Sequence, residues 1–458
     1  MRVSFCLPLD IRLILITLPD MALRAETGFD HAAEVAALTA VERGEEVARI
    51  QRAWRAYLGE SPKPLKVPAG SIDDNVQLSS AKVIVDTGVS FLFGGELSFG
   101  EDQEAVEAVV QNSGGPLVWQ RLAVSGAIGG TAFIRLRPDN EGAPRFVVLD
   151  PENVEIIFDP ADHEIIWGYI ISWLEAREET TVACRQRIIR SETDSWEIID
   201  EESRETGAWI EVSRELWGYE WCPVDHCQNM PLPSSVTGMS DLEPDVLSLS
   251  QNVDRTSALI NRILRLYSYP RTVATGVGTK LDIDSNPGSV LLLENPAADI
   301  KNLEMSSDLG SSIAYHKMLS AQLYQLARIP EVATGKLDSA GQLSSLALKV
   351  MYAPLISKTE TKRRTYGGLM ERVIPRALEM AGVPLTGERL TIGWPSMVPV
   401  DDLSDRQVAV IDQQLGISKD TIIERLGYDP VVERAQRMED RAENADQFNA
   451  GGFPPLDE

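Results

Sequence analysis

Residues 334–358 read TGKLDSAGQLSSLALKVMYAPLISK, a loop of small residues running straight into a long helix. The loop comprises Thr334, Gly335, Lys336, Leu337, Asp338, Ser339, Ala340, Gly341, Gln342, Leu343 and Ser344. Its glycines, alanine and serines keep the backbone narrow and mobile. At Ser345-Leu346-Ala347-Leu348-Lys349 the pattern turns helical, and it persists to Ala381. Pro354, Gly367-Gly368 and Pro375 lie inside that run. Interior prolines cost about 3 kcal/mol each unless the surroundings accept a kink, so a long bent helix is expected. Nothing in the stretch has catalytic character.

Upstream lies a hairpin of the same helical kind. Leu242 to Ser268 places Leu242, Val246, Leu249, Val253, Ile260, Leu264 and Tyr267 near a 3.6-residue spacing. The twenty-six residues 243–268 would span ~39 Å. Arg255, Arg262 and Arg265 are the candidate functional cations of this helix. After Pro270, residues 272–305 read as a short strand-like section punctuated by Gly276, Gly278, Asn286-Pro287-Gly288 and Asn295-Pro296. A second helix, Leu309 to Ile329, stops at Pro330.

The N-terminal half mixes helix and strand. Residues 28–58, 80–93, 101–112 and 117–125 read as helices, the last ending at Gly126. Thr131–Arg137 and Arg145–Leu149 read as paired strands across a Pro-Asp-Asn-Glu-Gly turn. Strands are expected at 156–159, 164–174, 180–199 and 207–221, giving an α+β domain. Glu388–Gly393 reads as one return strand, and residues 402–414, 418–426 and 429–445 read as charged helices.

Composition narrows the function. A chain of 458 residues implies about two to four domains. Hydrophobic content of 43% and charged content of 24% fit a folded globular protein. The net charge of −26 argues against a protein that grips DNA phosphates from outside. It fits a surface along which a polyanion slides, and it also serves solubility. Cys6, Cys184, Cys222 and Cys227 form no disulfide framework, which points to a reducing compartment. Cys222, His226 and Cys227 invite a zinc site, but a structural zinc takes four ligands and no second pair stands nearby. Asp10 and Arg12 interrupt the apolar run at 7–19, which is too short to span a bilayer; it reads as an upstream extension before Met21, with a signal peptide as the alternative.

The enzymatic signatures are missing. No phosphate loop, nucleophile elbow or H-E-x-x-H occurs. Gly276-Val-Gly-Thr-Lys280 is too short for a phosphate loop, and Gly126–Gly130 sits between a helix and a strand, the reverse of the dinucleotide-binding order. Glu201-Glu202 and Asp401-Asp402 read as solvated pairs, since adjacent carboxylates do not share a helix face. No catalytic residue, metal ligand or cofactor is expected.

The chain resembles the portal proteins of tailed bacteriophages, most closely those of siphophages. The resemblance rests on Ser345–Lys349 with Pro354-Leu355 and Lys358, on Val83–Gly94, on Asp150–Val154, and on the order of elements. It implies an extension (1–26), an α+β wing (27–240), a first stem helix (241–268), a small β-containing clip (269–308) and a second stem helix (309–330). A tunnel loop (331–345), a kinked wing helix with a return strand (346–400), a helical crown (401–445) and a disordered tail (446–458) follow. The clip is compact for that family. The similarity further implies a dodecameric ring at one capsid vertex of the virion, assembled in the host cytoplasm. Double-stranded DNA would pass through it during packaging and ejection. Its partners would be the terminase large subunit, a head–tail connector, and capsid and scaffolding proteins, with no membrane. Loop residues 334–344 would line the bore, with Lys336 as a belt of cations near the phosphates; the alternative is a loop kept small for sterics alone. A scaffold or adaptor without a channel is the competing function, and an enzyme the third.

Overall fold

The computed structural model describes residues 31–67, 69–70, 73–159, 161–177, 180–191, 195–203, 208–233, 235–268, 272–275, 299–302, 309–330, 345–387, 389–397, 409–425, 433, 434, 436 and 438. The tunnel loop 334–344, most of the clip, the N-terminal extension and the C-terminal tail expected from the sequence lie outside these residues. Two units emerge: residues 1–336 with 354–393, and residues 337–353 with 394–458.

The first unit begins with four helices, α1 (His31–Leu58), α2 (Ser80–Phe93), α3 (Gln103–Asn112) and α4 (Leu117–Gly129). Helix α2 is apolar almost all round, and it buries Ile84, Val85, Leu92 and Phe93. Such a helix belongs inside a core rather than at its surface. Helix α4 runs three residues beyond the expected end at Gly126. Gly126 is interior because Tyr366 and Ala132 occupy the space a side chain would need. Gly130 is the true terminator: it sits at φ +93, and its N–H closes on Gly126 O at 2.7 Å.

Two antiparallel sheets follow. In the first, β1 (Thr131–Pro138) lies between β2 (Pro144–Leu149) and β8 (Val224–Gln228). The second is a five-stranded meander of β3 (Val154–Asp159), β4 (Asp162–Arg177), β5 (Thr180–Arg190), β6 (Trp196–Ser203) and β7 (Trp209–Leu216). Residues 180–199, expected as one strand, divide into β5 and the start of β6, which pair through Arg190↔Trp196. Phe133, Val154, Tyr169, Ile171, Ile188, Trp196 and Val224 make one buried cluster from both sheets.

Helix α5 (Pro244–Ser268), the ribbon β9 (Thr272–Thr275) with β10 (Asp299–Asn302), and helix α6 (Leu309–Leu326) form a helix–ribbon–helix hairpin. The two helices pack together, with Ser257 Oγ 2.7 Å from His316 Nε2. Helix α7 (Ser345–Met380) stays helical through Pro354 and Pro375. Each proline removes one i→i−4 hydrogen bond. Burial of Tyr366, Leu369, Met370, Val373, Ile374 and Ala377 offsets that loss at roughly 1.5–3 kcal/mol for each large side chain. In place of a return strand, a single bridge joins Gly393 to Ser98.

In the second unit residues 409–414 are helical, and α8 covers Lys419–Arg425. Arg434 pairs with Asp420 at 3.0 Å.

Candidate functional site

The sequence singled out the hairpin cations and the helix that follows the loop, and both converge on buried carboxylates. Arg262 and Arg265 reach across from α5 to Asp74. Arg262 donates to both carboxylate oxygens at 2.9 Å, and Arg265 lies 2.8 Å from Oδ2. These guanidinium bonds hold the Asp74 carboxyl below its ordinary range. Asn261 adds a bond to the Asp74 carbonyl at 2.9 Å. Two of the three expected cations are therefore committed to fastening Asp74, and Arg262 also the Lys66 carbonyl, to α5, whereas Arg255 is exposed.

A second cluster lies at the root of the hairpin. Lys358, one of the motif residues, turns inward and is joined one turn later by Lys362 and one turn after that by Tyr366. This i, i+4, i+8 spacing lines up one helix face. The target is Asp241, just before α5, whose side chain is fully buried. Lys362 Nζ lies 2.6 Å from Oδ2, and Lys358 Nζ lies 3.2 Å from Oδ1. Asn229 Nδ2 donates to Oδ1 at 3.1 Å, and Tyr366 donates to Asn229 Oδ1 at 3.3 Å. Burial raises the Asp241 pKa, but the two ammonium groups and these hydrogen bonds outweigh it and leave the carboxyl far below its usual range. Burial pulls Lys362 down to about 8, against the pull of Asp241. Sequence reasoning found Lys358 only as a motif letter and missed Asp241, Lys362, Asn229 and Tyr366. The available signal was a pair of lysines four residues apart on the same helix face as the apolar Leu355, Tyr366, Leu369 and Val373.

Beside β4, β8 and α7 there is an open cleft of about 950 Å³. Its wall carries Asp225, which accepts from Arg372 at 2.9 Å and from Arg376 at 2.9 Å. His226 is buried next to it, with Nδ1 2.8 Å from the Tyr169 hydroxyl. Burial holds the imidazole neutral, with its pKa down to about 4. Cys222 is pushed up to about 12 by burial, and Cys227 higher still. Such thiols are protonated and poor ligands. Among the described residues, potential ligand atoms gather instead at Glu175, Cys184 and Glu202, and Arg177 donates to both of those carboxylates. The long loop that motivated a channel reading lies outside the described residues.

A model of the family described as phage portal protein, SPP1 Gp6-like, matches residues 42–447. Among solved structures, the chain is similar to one from the neck of an empty GTA particle computed with C6 symmetry. That likeness has 14% identity and a TM-score of 0.50, covering 82% of this chain and 93% of the other. It is similar also to a chain from the neck of a native GTA particle computed with C12 symmetry, with 14% identity, a TM-score of 0.46, and 77% and 91% covered. GTA denotes a gene transfer agent. At such identity the likeness concerns the fold alone, and the fold of this chain is α+β. A comparison with the curated proteins finds no significant match.

Proposed function

The chain belongs to the SPP1 Gp6-like phage portal protein family, and we propose that it forms a dodecameric ring around a channel for double-stranded DNA. Proteins of this family are structural components, and the proposed place of the ring is one vertex of a virion capsid. There it nucleates procapsid assembly with capsid and scaffolding proteins. It docks the terminase large subunit during packaging, then a head–tail connector, and it retains the genome until ejection. A separate motor supplies the energy in this scheme, so the ring needs no phosphate loop.

The observation that carries the reading is the helix–ribbon–helix hairpin of α5, β9, β10 and α6, set in a chain matched to the family from 42 to 447. The likeness to a chain from the neck of a gene transfer agent particle supports a place in a phage-like particle. Twelve copies at −26 each carry a formal −312, which suits a conduit that must not hold its cargo. Loop residues 334–344 are proposed to line the narrowest part of the bore, with Lys336 facing the phosphates.

Negative-stain electron microscopy of the purified protein, with mass measured by light scattering, tests this. Rings with a central hole and twelve subunits are expected. A monomer or dimer that stays so in the presence of the capsid and scaffolding proteins would overturn it and favour an adaptor without a channel.

A further inference from the structure

At the root of the hairpin, three charges meet where two would balance. Lys362 and Asn229 already satisfy both oxygens of Asp241, at 2.6 and 3.1 Å. Lys358 adds a second ammonium 3.2 Å from Oδ1, with its side chain only 8% exposed. Two lysines four apart on one helix face repel each other, and a surplus buried charge is costly. Neutralising Asp241 therefore does not account for Lys358.

Its other contact does. The Lys358 ammonium donates to the carbonyl oxygen of Ala327 at 3.2 Å. Ala327 directly follows Leu326, the last residue of α6, and it is buried. The turn there has Arg328 at φ +59, Arg328 N bonded to Gln325 O at 3.1 Å, and Ile329 N bonded to Tyr324 O at 2.9 Å. This is a Schellman arrangement, which uses the carbonyls of the two residues preceding the last turn position. It supplies no donor to Ala327 O, one of the carbonyls a helix end leaves without an intrahelical partner. The negative end of the helix dipole also favours a cation at this place.

We propose that Lys358 is a positioning residue: it caps the C-terminal end of α6 from inside the core, while Lys362 neutralises Asp241. Asp241 stands three residues before α5 and Ala327 one residue after α6. One ammonium therefore ties both feet of the hairpin to the middle of α7. The assignment holds whether or not the chain forms a ring.

Amide hydrogen exchange, read by mass spectrometry on the purified full-length protein, tests the division of roles. Lys358→Met leaves Asp241 paired with Lys362 and removes the donor to Ala327. Exchange at residues 327–329 is expected to accelerate about tenfold, the scale of one lost charge-assisted hydrogen bond, while 366–377 of α7 keeps its protection. Lys362→Met is expected to leave 327–329 protected, because Lys358 remains. Lys358→Gln, which keeps an N–H donor without charge, is expected to restore part of the protection even if the methionine variant does not fold. Unchanged exchange at 327–329 in Lys358→Met, or acceleration spread evenly over the chain, would overturn the proposal. So would equal effects of the two methionine variants at 327–329.

Discussion

Arg328 occupies a backbone conformation that a side chain disfavours. Its φ of +59 lies in the left-handed region, yet the turn it completes has the same hydrogen bonding as the one after α1, where Gly59 stands at φ +76. A Cβ in this region costs about 1 kcal/mol or somewhat more, and glycine removes that cost at the price of a more flexible unfolded chain. Arg328→Gly should therefore stabilise the protein by up to about 1 kcal/mol in urea titrations. A loss of stability would mean that the arginine side chain contributes more than its backbone costs. His226 makes a second residue-scale prediction. In the unfolded chain the imidazole takes a proton as pH falls through its ordinary value of 6.5, whereas burial delays this to about 4 in the folded protein. The unfolded state then binds more protons between these values, so stability is complete above about 6.5 and declines toward 4, by at most about 3 kcal/mol. The depressed carboxyls of Asp225 and Asp241 are lost at lower pH and do not fill this window. His226→Gln should flatten the dependence of the unfolding midpoint between pH 6.5 and 4.5.

Among the elements, α4 meets α7 at a point with no room for an added side chain. Gly126 leaves room only for the Tyr366 ring and hydroxyl, and Tyr366 in turn donates to Asn229. Gly126→Ala should cost about 1–3 kcal/mol as an overpacked core position. Tyr366→Phe should cost about 1 kcal/mol for the lost hydrogen bond. Because both act at one point, the double variant should be more stable than the sum of the two losses predicts; strict additivity in thermal melts would show that they do not meet. The same contact explains what the sequence could reveal. Helices α2, α5 and α6 were legible because Gly94, Pro270 and Pro330 punctuate clear periods, and β1 with β2 because a turn of Pro, Asp, Asn and Gly separates them. Gly126 was misread as a helix end, since a glycine required by a partner 240 residues away looks the same as a terminator. Strand β8 was not legible either: Val224-Asp-His-Cys-Gln228 has polar residues on both faces, and they pair with Arg372, Arg376 and Tyr169 only after folding. The Asp241 cluster shares that difficulty, with its closest partners, Asp241 and Lys362, 121 positions apart.

At the scale of the whole molecule, charge makes the sharpest distinction between a conduit and a DNA-binding protein. A protein that grips a duplex through lysines and arginines displaces counterions, so its affinity falls steeply with salt, by about 10³–10⁵ between about 50 and 200 mM for six to ten phosphate contacts. This chain carries 43 basic against 69 acidic residues. Several of its arginines, Arg177, Arg214, Arg262 and Arg372 among them, are already bonded to its own carboxylates. What a polyanion meets on average is repulsion, with a range of ~8 Å at physiological salt. Salt shortens that range, so it should not weaken whatever association remains. Fluorescence anisotropy of a labelled duplex with the purified protein should accordingly show little binding at low salt and no decline in affinity as salt rises to about 200 mM. A steep fall would mean that a concentrated basic surface, such as a belt built on Lys336, dominates over the net charge. The proposed ring would then be a clamp rather than a conduit, and the chain's acidity would serve solubility alone.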